Sequence, residues 1–239
     1  MSIPILTYHQ IDTPPPRGTP LRGLIVSPAS FARQMFVLKC LGYRGLSMRQ
    51  LEPYLKGEQQ GRVVGITFDD GYRNNLQYAL PLLKKHGFSA TCYAVSGMLG
   101  ASNSWDRENG VAHKPLMTIE ECRDWLHAGM EIGSHTRSHA DLTQLEADAA
   151  RTEIADSRLE LENSLGCEVR HFCYPYGRMN PQHCEMAKQA GYRSATTMRR
   201  GRAQAGDNLF TLRRILAARA MTVVQLAWKI ASSYEDRRG

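Results

Sequence analysis

No apolar run in this 239-residue chain approaches the roughly 20 residues that a membrane-crossing helix needs. The start, Met1-Ser2-Ile3-Pro4-Ile5-Leu6, has no basic stretch leading into an apolar one, so an export signal is not expected. The six cysteines, Cys40, Cys92, Cys122, Cys167, Cys173 and Cys184, form no C-x-x-C pair. Several lie inside apolar patterns, and buried free thiols in a reducing, cytoplasmic compartment are the expectation. Internal repeats and domain linkers are missing, as is any nucleic-acid-binding module, despite a net charge of +7. Apart from Arg199-Arg200-Gly201-Arg202, the basic residues are scattered. They read as a solvated face, or alternatively as attraction to a phosphate-bearing substrate or an anionic membrane surface.

The chain does have a hydrophobic fraction of 42%, which suits one large domain over residues 1–239. Short apolar segments alternate with periodic ones. Ile3 to Tyr8 reads as a first strand, followed by a loop at Thr13-Pro14-Pro15-Pro16-Arg17-Gly18, where proline blocks helix and central strand. Phe31 to Leu41 has helical periodicity ahead of Gly42. Further strands are expected at Tyr43–Leu46, Val63–Phe68, Ala90–Val95, Met130–Gly133, Val169–Tyr174, Tyr192–Thr197 and Phe210–Ala217. Helices are expected between and after them, at Ser47–Leu55, Asn74–His86, Thr118–His127, Thr143–Leu165, Pro181–Ala190 and Val223–Ile230. The polar stretch from Ser96 to Pro115 is too long for an ordinary connector and reads as a functional loop. Repeated strand–helix alternation implies an α/β fold with a parallel sheet and right-handed crossovers. Closed into a barrel, such a sheet carries its active site at the carboxyl ends of its strands.

The segment Thr67-Phe68-Asp69-Asp70-Gly71 brings two carboxylates to one such end. Successive side chains on a strand face opposite ways, so both serve one site only where the strand stops. Two carboxylates so close repel unless positive charge arrives, and a metal ion on one leaves the other as a base. The plainer alternative is a turn in which Asp69 or Asp70 caps the next helix. His135-Thr136-Arg137-Ser138-His139 follows another strand-like segment, and two histidines so spaced can close on one metal. Trp105, in the long loop, reads either as a platform for a sugar ring or as packing that holds the loop to the body.

Together with Tyr174-Pro175-Tyr176-Gly177, these motifs resemble the polysaccharide deacetylase family (NodB homology, carbohydrate esterase 4) over nearly the whole chain. The resemblance implies a distorted (β/α)7 barrel and a metal-dependent hydrolase that removes N-acetyl groups from an amino sugar. It implies Asp69 as catalytic base and Asp70, His135 and His139 as ligands of one divalent ion, zinc first, with nickel or cobalt as alternatives. It places the oxyanion donor at the backbone N–H of Tyr176, whose ring is a candidate substrate contact alongside Trp105. Tyr8-His9, at the first strand end, resembles the circularly permuted branch typified by bacterial poly-N-acetylglucosamine deacetylases, which makes His9 the candidate acid; a surface loop histidine is the plainer reading.

One position departs from the family pattern. The arginine that pairs with the catalytic base is replaced by Cys173. The segment Leu212-Arg213-Arg214-Ile215 offers a substitute, and resemblance to permuted relatives selects Arg214, with Leu212 expected to face the outer helices. The plainer alternative leaves both arginines on the surface. The implied substrate is an N-acetylated sugar, nucleotide-linked, lipid-linked or part of a surface-glycan precursor, with peripheral membrane contact as an option. Two competing functions remain: a C–N hydrolase of a non-sugar amide, and an inactive carbohydrate-binding protein.

Overall fold

In the computed structural model, which describes residues 2–238, alternation along each strand decides which layer a residue joins. In β1 (Ile5–Tyr8), Leu6 and Tyr8 enter a large apolar cluster with Phe31, Met35, Ile66 and Phe68. Their neighbour Ile5 joins a second, smaller cluster with Tyr93, Cys173 and Leu212. The same division recurs in β3 (Val63–Phe68), β4 (Thr91–Ala94), β5 (Glu131–Ser134), β6 (His171–Cys173), β7 (Ser194–Arg200) and β8 (Leu212–Leu216). The large cluster lies between the strands and the helices packed outside them, while the small one lies within the ring.

These seven strands pair in parallel in the order β1-β8-β7-β6-β5-β4-β3, and β3 pairs back with β1. The ring is therefore closed, as the α/β barrel reading requires. An eighth strand, β2 (Arg44–Leu46), pairs only with the first half of β3, and β4 takes over the same edge from Thr67 onward. That shared edge is the distortion of the barrel. The outer layer comprises α1 (Pro28–Cys40), α3 (Leu80–His86), α4 (Ile119–His127), α5 (Ala147–Leu165), α6 (Pro181–Gln189) and α7 (Val223–Ala231), whereas α2 (Met48–Leu55) turns Met48, Leu51, Tyr54 and Leu55 into the smaller, inner cluster.

Local chemistry explains most helix starts. Ser27, Ser47, Thr118, Asn180 and Thr222 each accept a hydrogen bond from a first-turn backbone N–H. At Thr118 the bond is reciprocated by Glu121, a capping box. Two expectations need adjustment. The helix expected over Asn74–His86 opens as a wide turn, Asn75–Ala79, before α3. The helix expected from Thr143 begins at Ala147, after a separate turn at Leu142–Gln144. No helix joins β7 to β8; that crossover carries only the two-residue strand Ala203–Gln204, which pairs with Ser2–Ile3.

The ring interior is polar to an unusual degree. Thr7, Thr67, Asp69, Thr91, Glu131, His171, Ser194, Thr196 and Arg214 are all buried. Leu212 shares the inner face with Arg214, because residues two apart on a strand point the same way. The expectation that Leu212 faces the outer helices is thus reversed; Ile215 takes that place. The basic run near residue 200 is also not free. Arg200 pairs with Glu235, and Arg202 with Asp236, folding the C-terminal turn onto the barrel.

Candidate active site

The end of β3 delivers Asp69 inward by strand parity, while Asp70 would point out. Its backbone φ of +74° turns it back to the same side. Few non-glycine residues adopt such a conformation, and those that do cluster where the surrounding structure demands it. Among the described residues the others are Leu21, Thr136, His139 and Tyr176, and every one of the five lines the same cavity or stands between residues that do. Gly177 is required next to Tyr176: at φ +68° a Cβ there would lie 2.4 Å from the backbone nitrogen of Met198.

Asp70 Oδ1 lies 3.4 Å from His135 Nε2 and 3.3 Å from His139 Nε2. His135 Nδ1 is 2.7 Å from the carbonyl oxygen of Cys173. A carbonyl only accepts, so Nδ1 carries a proton, which leaves Nε2 as the ring's ligand nitrogen on the Asp70 side. One ligand atom from each of these three buried residues lies within 4.8 Å of the others. A carboxylate and two imidazole nitrogens that converge at such range form a mixed oxygen–nitrogen donor set, which suits a divalent metal. Burial raises the Asp70 pKa, but the His135 and His139 contacts outweigh it and hold the carboxyl well below its ordinary value.

Asp69 is held differently. Arg214 donates from Nη1 to Oδ1 and from Nη2 to Oδ2, both at 2.7 Å, a two-pronged pairing with both groups buried. Thr7 Oγ1 approaches Oδ2 at 3.3 Å. The guanidinium also bonds the Thr197 carbonyl and Thr67 Oγ1, and rests 3.2 Å from Cys173 Sγ. Burial pushes the Asp69 pKa up, but Arg214 more than offsets it, and the carboxyl stays below its ordinary value. Arg213 is exposed. Of the two arginines, the structure brings Arg214 to Asp69, across the small side chain of Cys173.

His9 lines the cavity at the end of β1. Asn75 pins its segment, donating to the His9 carbonyl at 2.7 Å and accepting from the Ile11 N–H at 3.1 Å. The ring of Trp105 stacks on His139, with centroids 4.5 Å apart and planes within 16°. One face of Trp105 therefore rests on a candidate ligand, so the ring packs against the site as well as bordering it. Tyr176 sets its ring edge-on to His139 at 4.8 Å and remains about half exposed. The structure thus gathers Asp69, Asp70, His135, His139, His9, Trp105 and Tyr176 around one cavity of about 420 Å³, with Arg214 immediately behind Asp69.

A match to the polysaccharide deacetylase family model spans residues 56–195. The Bacillus subtilis protein YxkH is 31% identical over 222 residues, or 92% of this chain and 73% of that protein. The chain belongs to the polysaccharide deacetylase family. A Staphylococcus aureus poly-beta-1,6-N-acetyl-D-glucosamine N-deacetylase is 25% identical over 200 residues, 82% of this chain and 69% of the relative. The Streptococcus pyogenes deacetylase PplD, solved in complex with acetate, superposes with a TM-score of 0.85 at 31% identity, over 96% of this chain and 98% of that one. As a family member this deacetylase shares the NodB-type (β/α)7 barrel.

Sequence reasoning did not single out several residues of the cavity. Asp106, beside Trp105, is buried in its wall, and Leu21, Leu24 and Met198 supply apolar surface. Asp106 had a visible signal, a carboxylate adjoining the one tryptophan of the long loop. Leu21 and Leu24 had none, since a loop of proline and small polar residues does not show what it covers.

Proposed function

We propose that the protein is a metal-dependent N-deacetylase acting on an N-acetylated amino sugar of a glycan or glycan precursor. The observation that carries this reading is the separation of two adjacent carboxylates into different settings: Asp70 among imidazoles, Asp69 in the fork of Arg214. One carboxylate suits holding a cation, and the other suits staying charged and oriented as a base. Asp70, His135 and His139 would hold a divalent ion, zinc before nickel or cobalt. Bound there, such an ion polarises the acyl oxygen and lowers the pKa of a coordinated water to about 7.

The remaining work falls to the chain. Asp69 takes the proton of the attacking water, and Arg214 keeps its carboxylate in one orientation. The backbone N–H of Tyr176 meets the negative charge developing on the acyl oxygen. His9 gives a proton to the amine as the C–N bond breaks, so acetate and a free amino sugar leave. Tyr176 and Trp105 border the sugar. The family relationship and the Staphylococcus aureus relative's name support N-acetylglucosamine as the sugar type. The cysteines recorded in the structure are unpaired, which favours a reducing, cytoplasmic setting and a nucleotide- or lipid-linked precursor as substrate.

The test is acetate release from a panel of N- and O-acetylated sugars, with metal content measured on the same samples. Release from N-acetylated sugars by metal-loaded protein supports the proposal. Release from O-acetylated sugars alone would overturn it.

A further inference from the structure

The cavity does not end at the metal-type ligands. A second chamber of about 150 Å³ adjoins it, and His9, Asp70 and Asp106 border both. Its other walls include Gln10, Tyr72 and Lys114. Two loops cover it, residues 12–25 after β1 and residues 99–115 between β4 and α4. They meet each other above the chamber. Lys114 Nζ bonds Asp12 Oδ2 at 2.8 Å, and Asn74 Nδ2 reaches the same carboxylate oxygen at 3.2 Å. A Cβ placed on Gly110 would sit 3.9 Å from Pro20 Cγ, so the two loops come close there too. The covering loop is itself braced, since Asn103 accepts from the Lys114 N–H and donates to the Ala112 carbonyl. The bridge Ser102–Pro115 closes it on itself, and the bridge Tyr72–Leu116 ties its end to the body.

A groove that processes the interior of a polymer is open at both ends, because chain must leave on either side of the reacting unit. Here one side runs under a roof. Resting on the deacetylase reading above, we infer that the substrate is the terminal N-acetylated sugar of a chain, or a short acetylated saccharide, with its end housed under the roof. A terminal sugar differs from an interior one by a free hydroxyl where the next glycosidic bond would be. The second chamber offers polar groups suited to such a hydroxyl in Gln10, Tyr72, Asp106 and Lys114.

The experiment uses the metal-loaded full chain with an N-acetylglucosamine oligosaccharide and with the corresponding polymer, locating deacetylated units by tandem mass spectrometry. The expected result is loss of acetyl from one terminal unit, with interior units retained. Interior and terminal units losing acetyl at equal rates would overturn the inference while leaving the deacetylase reading intact. No acetate from either substrate would overturn that reading and the inference with it. Asp12→Ala removes the Lys114 tie between the two loops, so it should raise interior deacetylation several-fold relative to terminal; an unchanged pattern would contradict the roof as the cause. Asp106→Asn should raise KM for the oligosaccharide more than it lowers kcat, and equal kinetics to the unaltered protein would remove Asp106 from the hydroxyl site.

Discussion

At the scale of single residues, the position that departs from the family pattern is the most instructive. Cys173 leaves a space beside Asp69, and Arg214 fills it from β8, two strands away in the ring. A planar guanidinium fixes a carboxylate with two parallel bonds, which an ammonium cannot copy. Arg214→Lys is therefore expected to lose about 10-fold or more in turnover, and Arg214→Ala more, each with metal content unchanged. Kinetics beside elemental analysis check this; loss of metal in either variant would tie Arg214 to the ligand site instead. Asp69→Asn should keep fold and metal but lose about 10²–10⁴ in rate, the range for removing a general base. That Asp69, Asp70, His135 and His139 share one cavity was legible in the sequence, because two short motifs hold them. The Arg214 contact was legible only through resemblance, since strand parity shows which face a residue takes but not which distant residue it meets. Asp106 and Leu21 were not legible, because their contacts depend on how two irregular loops meet.

Secondary-structure elements show the same division. Strands and most helix starts were readable, since apolar periodicity and capping side chains are local signals. The wide turn at Asn75–Ala79 was not, because its form serves Asn75's bonds to the His9 segment. Between β7 and β8, where no helix was expected, the chain pairs with Ser2–Ile3. The C-terminal turn is held by charge: Glu235 lies between Arg200 at 2.7 Å and Lys229 at 2.6 Å. Burial raises the Glu235 pKa, and the two cations more than offset it, leaving the folded value below the ordinary 4.5. A depressed folded pKa gives stability that is present above the unfolded value and is lost as pH falls through the folded one. Glu235→Gln should thus lower Tm by about 2–8 °C at pH 7, for a loss of about 1–2 kcal/mol. That difference should shrink as the pH drops below 4.5, as thermal melts across pH would show. A Tm gap constant with pH would contradict the charge account. Gly177→Ala, blocked by the Met198 backbone, should disturb the Tyr176 turn and cut activity even where the fold survives.

The molecule as a whole separates its two kinds of interior. Apolar side chains fill the layer between barrel and helices, while the ring holds a smaller apolar cluster together with buried charged and hydroxyl groups. This is why the barrel was foreseeable from strand–helix alternation, although the buried Glu131 and His171 resembled surface residues in sequence. Three candidate ligands, an oriented carboxylate and a histidine lie within one cavity, and the central claim is that they act together through a metal. The most direct test is acetate release from N-acetylglucosamine oligosaccharide by chelator-stripped protein, before and after one equivalent of zinc per chain. The account predicts negligible release before zinc, restoration by one equivalent in the unaltered protein, and no restoration in His139→Ala. Equal release with and without metal, or full restoration in His139→Ala, would contradict it.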